Sequence, residues 1–399
     1  VRVFLIAGEP SGDNLGAALM AGLKELVPEV AFEGIGGPRM EAEGLRSRFP
    51  MDELSVMGIA EVLPRYRHLM RRIRETAAAV VETKPDVLVT IDSPDFVFRV
   101  AKRVKAASSV RIVHYVAPTV WAWRPGRARK VARLVDQLLT LLPFEPPYFV
   151  AEGLRADFVG HPVVAEPLAT KDEAVAFRAR HGIGAAPLLM VLPGSRRGEV
   201  ARLAGAFGET VKAIVAARPE VRVVVPAAAP VAGLVRDCAA GWPGAPVVIA
   251  PETDPGGAAK RAAFGAADAA LAASGTVSLE LAASGTPMVI AYDMAWLSRQ
   301  IIERMLRVDT VTLVNLVSQT RAVPEFLGER CRPDLIAPAV LALLAAPGAQ
   351  AEALDVTMER LGRGGEAPGL RAARAVLDGL VEGRGRRPSS GAGGVASDP

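Results

Sequence analysis

The sequence predicts an α/β protein of two Rossmann-like, doubly wound domains facing a cleft, followed by C-terminal helices. Three observations predict it. Short apolar runs alternate with amphipathic stretches through most of the chain. The alternation breaks once, at GHPVVAEPLATKDE (160–173), and then restarts. Half of the 399 residues are apolar, and a chain of this length exceeds one typical core, so two domains are the natural expectation.

In the first half, strands are expected at 2–7, 31–35, 86–92, 110–116 and 136–142, with helices at 12–27, 60–83, 95–107, 126–134 and 144–152. In the second half, strands are expected at 188–193, 221–226, 247–250, 268–272 and 287–292, with helices at 198–217, 230–240, 257–265, 276–284 and 295–306. Residues 333–382 read as helix throughout. The tail GRGRRPSSGAGGVASDP (383–399) has the composition of a disordered segment. The expected domains are therefore 1–165, 166–335 and a helical segment at 336–382.

Composition excludes several classes. No run of about 18 apolar residues suggests a transmembrane helix, and no leader pattern precedes the first strand; the expected location is cytoplasmic. Cys238 and Cys331 form no CxxC, which argues against a zinc ribbon or a disulfide framework. His68, His114, His161 and His181 show no metal-ligand spacing, and no metal site is expected. The net charge of +4 is modest, and no nucleic-acid partner is expected.

In doubly wound sheets ligands sit beyond the carboxyl ends of the strands. The first such loop is AGEPSGDNLG (7–16). It lacks the GxGxxG pattern and the lysine of a P-loop. Glu9, Ser11, Gly12 and Asp13 are read as a helix N-terminus facing an anionic group, with Ser11 as a plain N-cap the other reading.

Two loops of the second half suit an anion better. LLMVLPGSRRGEV (188–200) runs strand, Pro-Gly-Ser-Arg-Arg-Gly, helix. Gly194 admits an anion to the backbone of Ser195, and Arg196 or Arg197 can pair with phosphate oxygens. In ADAALAASGTVSLELAASG (267–285), Ser274, Gly275 and Thr276 open a helix whose free N–H groups suit a diphosphate. Glu280, one turn on, can hold a ribose diol. The bland alternative makes Thr276 an N-cap and Glu280 a helix charge.

In VLVTIDSPDFVFRVAKRV (87–104), Asp92 and Asp95 follow a strand about one turn apart. Asp95, at a helix start facing the expected cleft, can take a proton from a hydroxyl nucleophile. Helix capping is expected to occupy one of the two aspartates, and a metal pair is a third option. Trp121 and Trp123, in HYVAPTVWAWRPGRARK, are read as packing residues beside a basic helix. VMGIAEVLPRYRHLMRRIRE (56–75) is apolar and basic. Val56, Met57, Ile59, Arg65, Arg67, Arg71 and Arg72 suit an anionic membrane surface, or else the helix simply packs on the sheet with a solvated basic face.

Together these stretches resemble the lipid-A-disaccharide synthase family, inverting glycosyltransferases of GT-B architecture. AGEPSGDNLGA, GIGGPRMEAEG, ELSVMGIAEVLPR, KPDVLVTIDSPDF, HYVAPTVWAWR, LLPFEPPYF, FVGHP, LPGSRRGEV and AASGTVSLELA occur in order from residue 7 onward, and the resemblance extends to about residue 330. The resemblance implies transfer of 2,3-diacylglucosamine from its UDP derivative to 2,3-diacylglucosamine 1-phosphate (lipid X). It implies no cofactor, peripheral association with the anionic inner membrane and a homodimer that residues 333–382 are helical enough to exchange. It also implies catalysis by Asp95 or Asp92 with Arg196, and UDP contacts from Asn315, which leaves Glu9, Ser11, Gly12 and Asp13 to face the acceptor sugar or its 1-phosphate. Val314 and Gly328 depart from the family's proline and glutamine, while Asn315 and Glu325 match. The readings set against this one are another UDP-sugar enzyme of the same architecture, an epimerase or a soluble-acceptor transferase, and a non-catalytic nucleotide-binding protein.

Overall fold

The computed structural model describes residues 1–54, 59–122, 126–294 and 308–385. The side chains of 59–65, Pro347 and 383–385 stand outside that description. So do Val56, Met57, Trp123, the expected helix at 295–306 and most of the expected disordered tail.

The described residues form two compact units. One lies within Val1–Val120, Pro125–Pro162 and Glu366–Pro399, the other within Trp121–Arg124 and Val163–Gly365. The first holds β1 (Arg2–Ala7), β2 (Ala31–Ile35), β3 (Val87–Ile91), β4 (Arg111–Tyr115), β5 (Gln137–Thr140) and β6 (Arg155–Phe158), ordered β2-β1-β3-β4-β5-β6. The second holds β7 (Leu188–Leu192), β8 (Arg222–Pro226), β9 (Val247–Ile249), β10 (Ala269–Ala272), β11 (Met288–Tyr292) and β12 (Glu325–Leu327), ordered β12-β11-β10-β7-β8-β9. All pairings are parallel.

Parallel strands need helical crossovers, and these bury both faces of each sheet. On β1, Phe4 and Ile6 pack with Ile73 and Val80 of α3 (Ile59–Thr83) and Val97 and Val100 of α4 (Pro94–Ala107). Val3, Leu5 and Ala7 face the other way, toward Leu19 and Leu23 of α1 (Pro10–Leu26). In the second unit, Leu189 and Val191 of β7 pack with Val200, Leu203 and Phe207 of α8 (Arg197–Ala217).

The ten expected strands are all present; β6 and β12 are additional. Arg155 and Asp157 of β6 break the apolar pattern by pairing with each other at an edge, 2.9 Å apart. Within the end of the expected linker begins α7 (Lys171–Arg180), which a Thr170–Glu173 capping box starts and which buries Phe177 alone.

The C-terminal helices divide between the units. Those at Pro333–Ala345 and Ala351–Arg360 stay with the second, while the last, Pro368–Gly385, packs on α1 of the first within the same chain. Two glycines set that crossing. A Cβ on Gly22 would lie 2.8 Å from the Gly369 carbonyl oxygen, and one on Gly369 would lie 2.5 Å from that of Ala18. The buried Gln137 amide fastens the helix to β5, donating to the Ala375 carbonyl at 2.8 Å.

The order of strands decides where loops meet. Each sheet reverses its winding once, between β1 and β3 and between β7 and β10. Ala7 pairs in register with Ile91, and Leu192 with Ala272. The loops that begin at Gly8 and Asp92 therefore adjoin, as do those that begin at Pro193 and Ala273. Gly22→Val should overpack the helix crossing and destabilise the protein by about 1–3 kcal/mol, measured as a lower denaturation midpoint.

Candidate functional site

The second unit's reversal point opens into a cavity of about 630 Å³. Pro226, Ala228, Ile249 and Phe264 give it an apolar wall, and Gly194, Ser195, Arg196, Ser274, Gly275, Thr276 and Glu280 line it as well. An apolar slot with a few convergent polar groups suits a small organic ligand that carries an anion.

The two anion-friendly loops differ in state. The backbone N–H groups of Ser274, Gly275 and Thr276 engage no backbone acceptor among the described residues. Thr276 makes no side-chain cap bond to the helix it precedes, α11 (Val277–Ala283), so the plain N-cap reading does not hold. At the other loop the N–H groups of Ser195 and Arg196 are occupied: both donate to Glu199 Oε2, at 3.2 and 3.3 Å. The Arg196 guanidinium also meets Glu199, 3.3 Å from Oε1. Gly194 has φ +124°, and a Cβ there would lie 2.8 Å from Glu199 Cβ. Glycine at this position therefore admits a carboxylate of the chain itself.

Glu280 is held by Lys260, whose Nζ lies 2.7 Å from Oε2. Lys260 sits on α10 (Ala258–Ala266), whose first N–H groups are capped by Asp254. Sequence reasoning missed both Lys260 and Glu199. The signal for Glu199 was its spacing three residues after Arg196, the offset of a reach-back helix cap.

Asn315, expected to touch UDP, is 1% exposed and is not part of the cavity wall. Its amide donates to Thr310 Oγ1 and the Val323 carbonyl, and its Oδ1 accepts from Val323 N–H at 3.0 Å. Glu325 likewise caps Val311 and Thr312. Both matching residues hold a turn together, and Val314 is fully buried beside them.

At the first unit's reversal point, Asp92 and Ser93 have φ of 50° and 45°. Two successive non-glycine residues in the left-handed region are uncommon, and each costs roughly 1–2 kcal/mol. Pro94 takes the first turn of α4, yet Ser93 makes no side-chain cap bond, and its Oγ is buried without a partner among the described residues. Neither the Asp92 nor the Asp95 carboxylate makes a hydrogen bond or ion pair to a described residue. Capping therefore occupies neither aspartate, where one had been expected to be spent on it.

Asp13 departs from its expected role. It is 4% exposed and its carboxylate accepts the N–H groups of Gly37, Arg39 and Met40 at 2.9–3.0 Å. It thereby caps α2 (Pro38–Ala42), and its oxygens face protein rather than a ligand. Gly12 is buried, and a Cβ there would touch Ala7 and Ile91, so it lets α1 lie close to the strands. Ser11 is exposed and lies inside α1, whose N-cap is Glu9.

The basic helix divides too. Arg72 is no free lipid ligand: it chelates Glu53 at 2.7 and 2.9 Å and lies 4.3 Å over the Phe49 ring. That pairing raises the Arg72 pKa and lowers that of Glu53. Arg67 and Arg71 are exposed, and Arg71 reaches Glu75 at 3.5 Å. The side chains of Ile59 and Arg65 lie outside the described residues. Trp121 is buried, as a packing residue should be.

The fold defines a class, the α/β proteins built on two Rossmann-like units. A putative UDP-N-acetylglucosamine 2-epimerase from Listeria monocytogenes shares the fold at a TM-score of 0.63 with 14% identity, over 97% of each chain. The UDP-N-acetylglucosamine 2-epimerase of Neisseria meningitidis, solved with UDP-N-acetylglucosamine, does so at 0.61 with 12% identity, over 96% of this chain and 100% of that one. Sequence decides further than fold. The lipid-A-disaccharide synthetase family matches residues 3–366. The lipid-A-disaccharide synthase of Ruegeria pomeroyi is 62% identical, covering 95% of this chain and 96% of its own, and that of Rhodospirillum centenum is 50% identical over 94% of both. The chain belongs to the lipid-A-disaccharide synthase family and is a glycosyltransferase of lipid A disaccharide synthesis.

Asp13→Ala would leave three N–H groups without their acceptor. It should lower stability by about 2–4 kcal/mol, seen as a reduced midpoint in urea unfolding. An unchanged midpoint with a raised acceptor KM would return Asp13 to ligand binding.

Proposed function

We propose that the chain transfers the diacylglucosaminyl group of UDP-2,3-diacylglucosamine to the 6-hydroxyl of lipid X, giving the β-1,6 disaccharide 1-phosphate and UDP. The observation that carries the donor side is the 630 Å³ cavity, where an apolar wall, three open N–H groups, Arg196 and the Lys260-held Glu280 converge. The wall fits a planar base. Glu280 keeps one oxygen for the ribose diol while Lys260 fixes the other. The Ser274–Thr276 amides and Arg196 bring positive charge to the diphosphate.

The donor bond to UDP is α and the product is β, so a single inverting displacement suffices. The acceptor oxygen forms a bond to C1 as the C1–O bond to diphosphate breaks. The proton of the attacking hydroxyl passes to a carboxylate, which we assign to Asp95, with Asp92 the alternative. Support comes from their uncommitted carboxylates beside a strained turn. The charge that develops on UDP is met by Arg196 and the N–H groups, so a metal is not required.

The exposed Arg67 and Arg71 support peripheral contact with an anionic membrane. Among the described residues no single helix is long and apolar enough to cross a membrane.

Asp95→Asn should lower kcat by about 10²–10⁴-fold with UDP affinity unchanged. Near-normal turnover in that variant, with Asp92→Asn inactive, transfers the base to Asp92. Disaccharide formation from UDP-diacylglucosamine and lipid X should persist in excess EDTA; loss of activity that Mg²⁺ restores would refute the metal-free reading.

A further inference from the structure

We propose that Glu199 is a stand-in anion for the donor's diphosphate: it holds the Gly194–Arg196 loop in a phosphate-receiving shape and yields that place when the donor enters. The inference rests on reading the second unit's cavity as the UDP site. Four observations carry it. One carboxylate gathers the Ser195 N–H, the Arg196 N–H and the Arg196 guanidinium, the donor set that suits a phosphate oxygen pair. Its bonds, at 3.2–3.3 Å, are long for charge-assisted contacts, which run at about 2.7–2.9 Å, so they are readily exchanged. Gly194 is required for this arrangement, since a Cβ would meet both Glu199 Cβ and, at 2.9 Å, Oε2. Finally, the carboxylate has a phenol close by to turn to.

That phenol belongs to Tyr292, at the end of β11. It is held above its ordinary pKa, first by burial and then by the Glu199 charge, with Arg196 and Arg202 acting in opposition. A carboxylate with another donor close by can leave its first set without being stranded. Diphosphate carries more charge than a carboxylate and so wins the amides and the guanidinium, while Glu199 turns to the phenol. On departure of UDP the carboxylate returns and competes with rebinding. Glu199 is thus a positioning residue that acts through Arg196 and the loop, and it favours product release.

A helix cap alone explains the contact to Arg196 N–H, and glutamine caps as well as glutamate at this position. The test uses that equivalence. UDP is titrated calorimetrically into the wild type, Glu199→Gln and Tyr292→Phe, and kcat and KM are measured with the full substrates. Glu199→Gln should bind UDP about five- to tenfold more tightly, with kcat and KM falling together because release slows. Tyr292→Phe should bind UDP a few-fold more weakly, because the carboxylate loses its alternative partner. Unchanged or weaker UDP binding by Glu199→Gln overturns the inference and leaves Glu199 a cap. Absence of UDP binding by the wild type overturns the cavity assignment itself, and the inference with it.

Discussion

Burial of both sheet faces is the constraint on which the rest of this structure depends. An all-parallel sheet takes helices on each side, and the strand interiors here are mainly apolar, with Thr90, His114 and Gln137 among the buried polar exceptions. Solvent-facing polar chemistry is thereby concentrated at the ends of strands. Of those ends, only the ones flanking a reversal of winding are left uncrossed by a connecting helix. The chain has two such points, and they carry GEPSGD beside DSPD and PGSRRG beside ASGT. The loops that hold candidate chemistry are far apart in sequence because the topology, rather than the sequence, makes them neighbours.

That logic explains how much could be read beforehand. The ten expected strands were legible because each is an apolar run between turn residues. Strand β6 was not, since Arg155 and Asp157 satisfy each other at an edge. Helix α7 was not, since it buries only Phe177 and shows no stripe. For the site, sequence located the loops but not the commitments of their side chains. Asp13, Asn315 and Arg72 are polar residues singled out in the sequence, and each is consumed by the fold: a helix cap, a turn clamp and a carboxylate chelate. Asp92 and Asp95 look no different in sequence, yet their carboxylates are uncommitted among the described residues. A carboxylate's partner lies across space, so its residue type and local spacing do not disclose it.

Fold and family carry different weights. The shared architecture with UDP-N-acetylglucosamine 2-epimerases, at 12–14% identity, is compatible with epimerisation, hydrolysis or transfer alike, because one scaffold hosts many reactions. Identity of 62% over 95% of the chain decides the family, which the fold leaves open.

The Asp92–Ser93 turn shows why those residues matter physically. Two left-handed residues together cost roughly 2–4 kcal/mol, and a partnerless buried hydroxyl adds about 1–3 more. A domain's net stability is only about 5–15 kcal/mol, so such a turn is a large fraction of it. Glycine at either position would remove most of the backbone strain. Side chains retained there against that gradient mark a place where geometry is set by something other than stability. The turn contains Asp92, leads to Asp95 and sits against the Gly8 loop, where a Cβ on Gly8 would come within 2.6 Å of Ser93 Oγ. Strain of this kind is held by its surroundings, here by β3, the Tyr115 carbonyl that accepts Asp92 N–H at 3.0 Å, and the Pro94 start of α4. The strain thus fixes where α4 begins, and with it the position of Asp95 in the first turn of that helix.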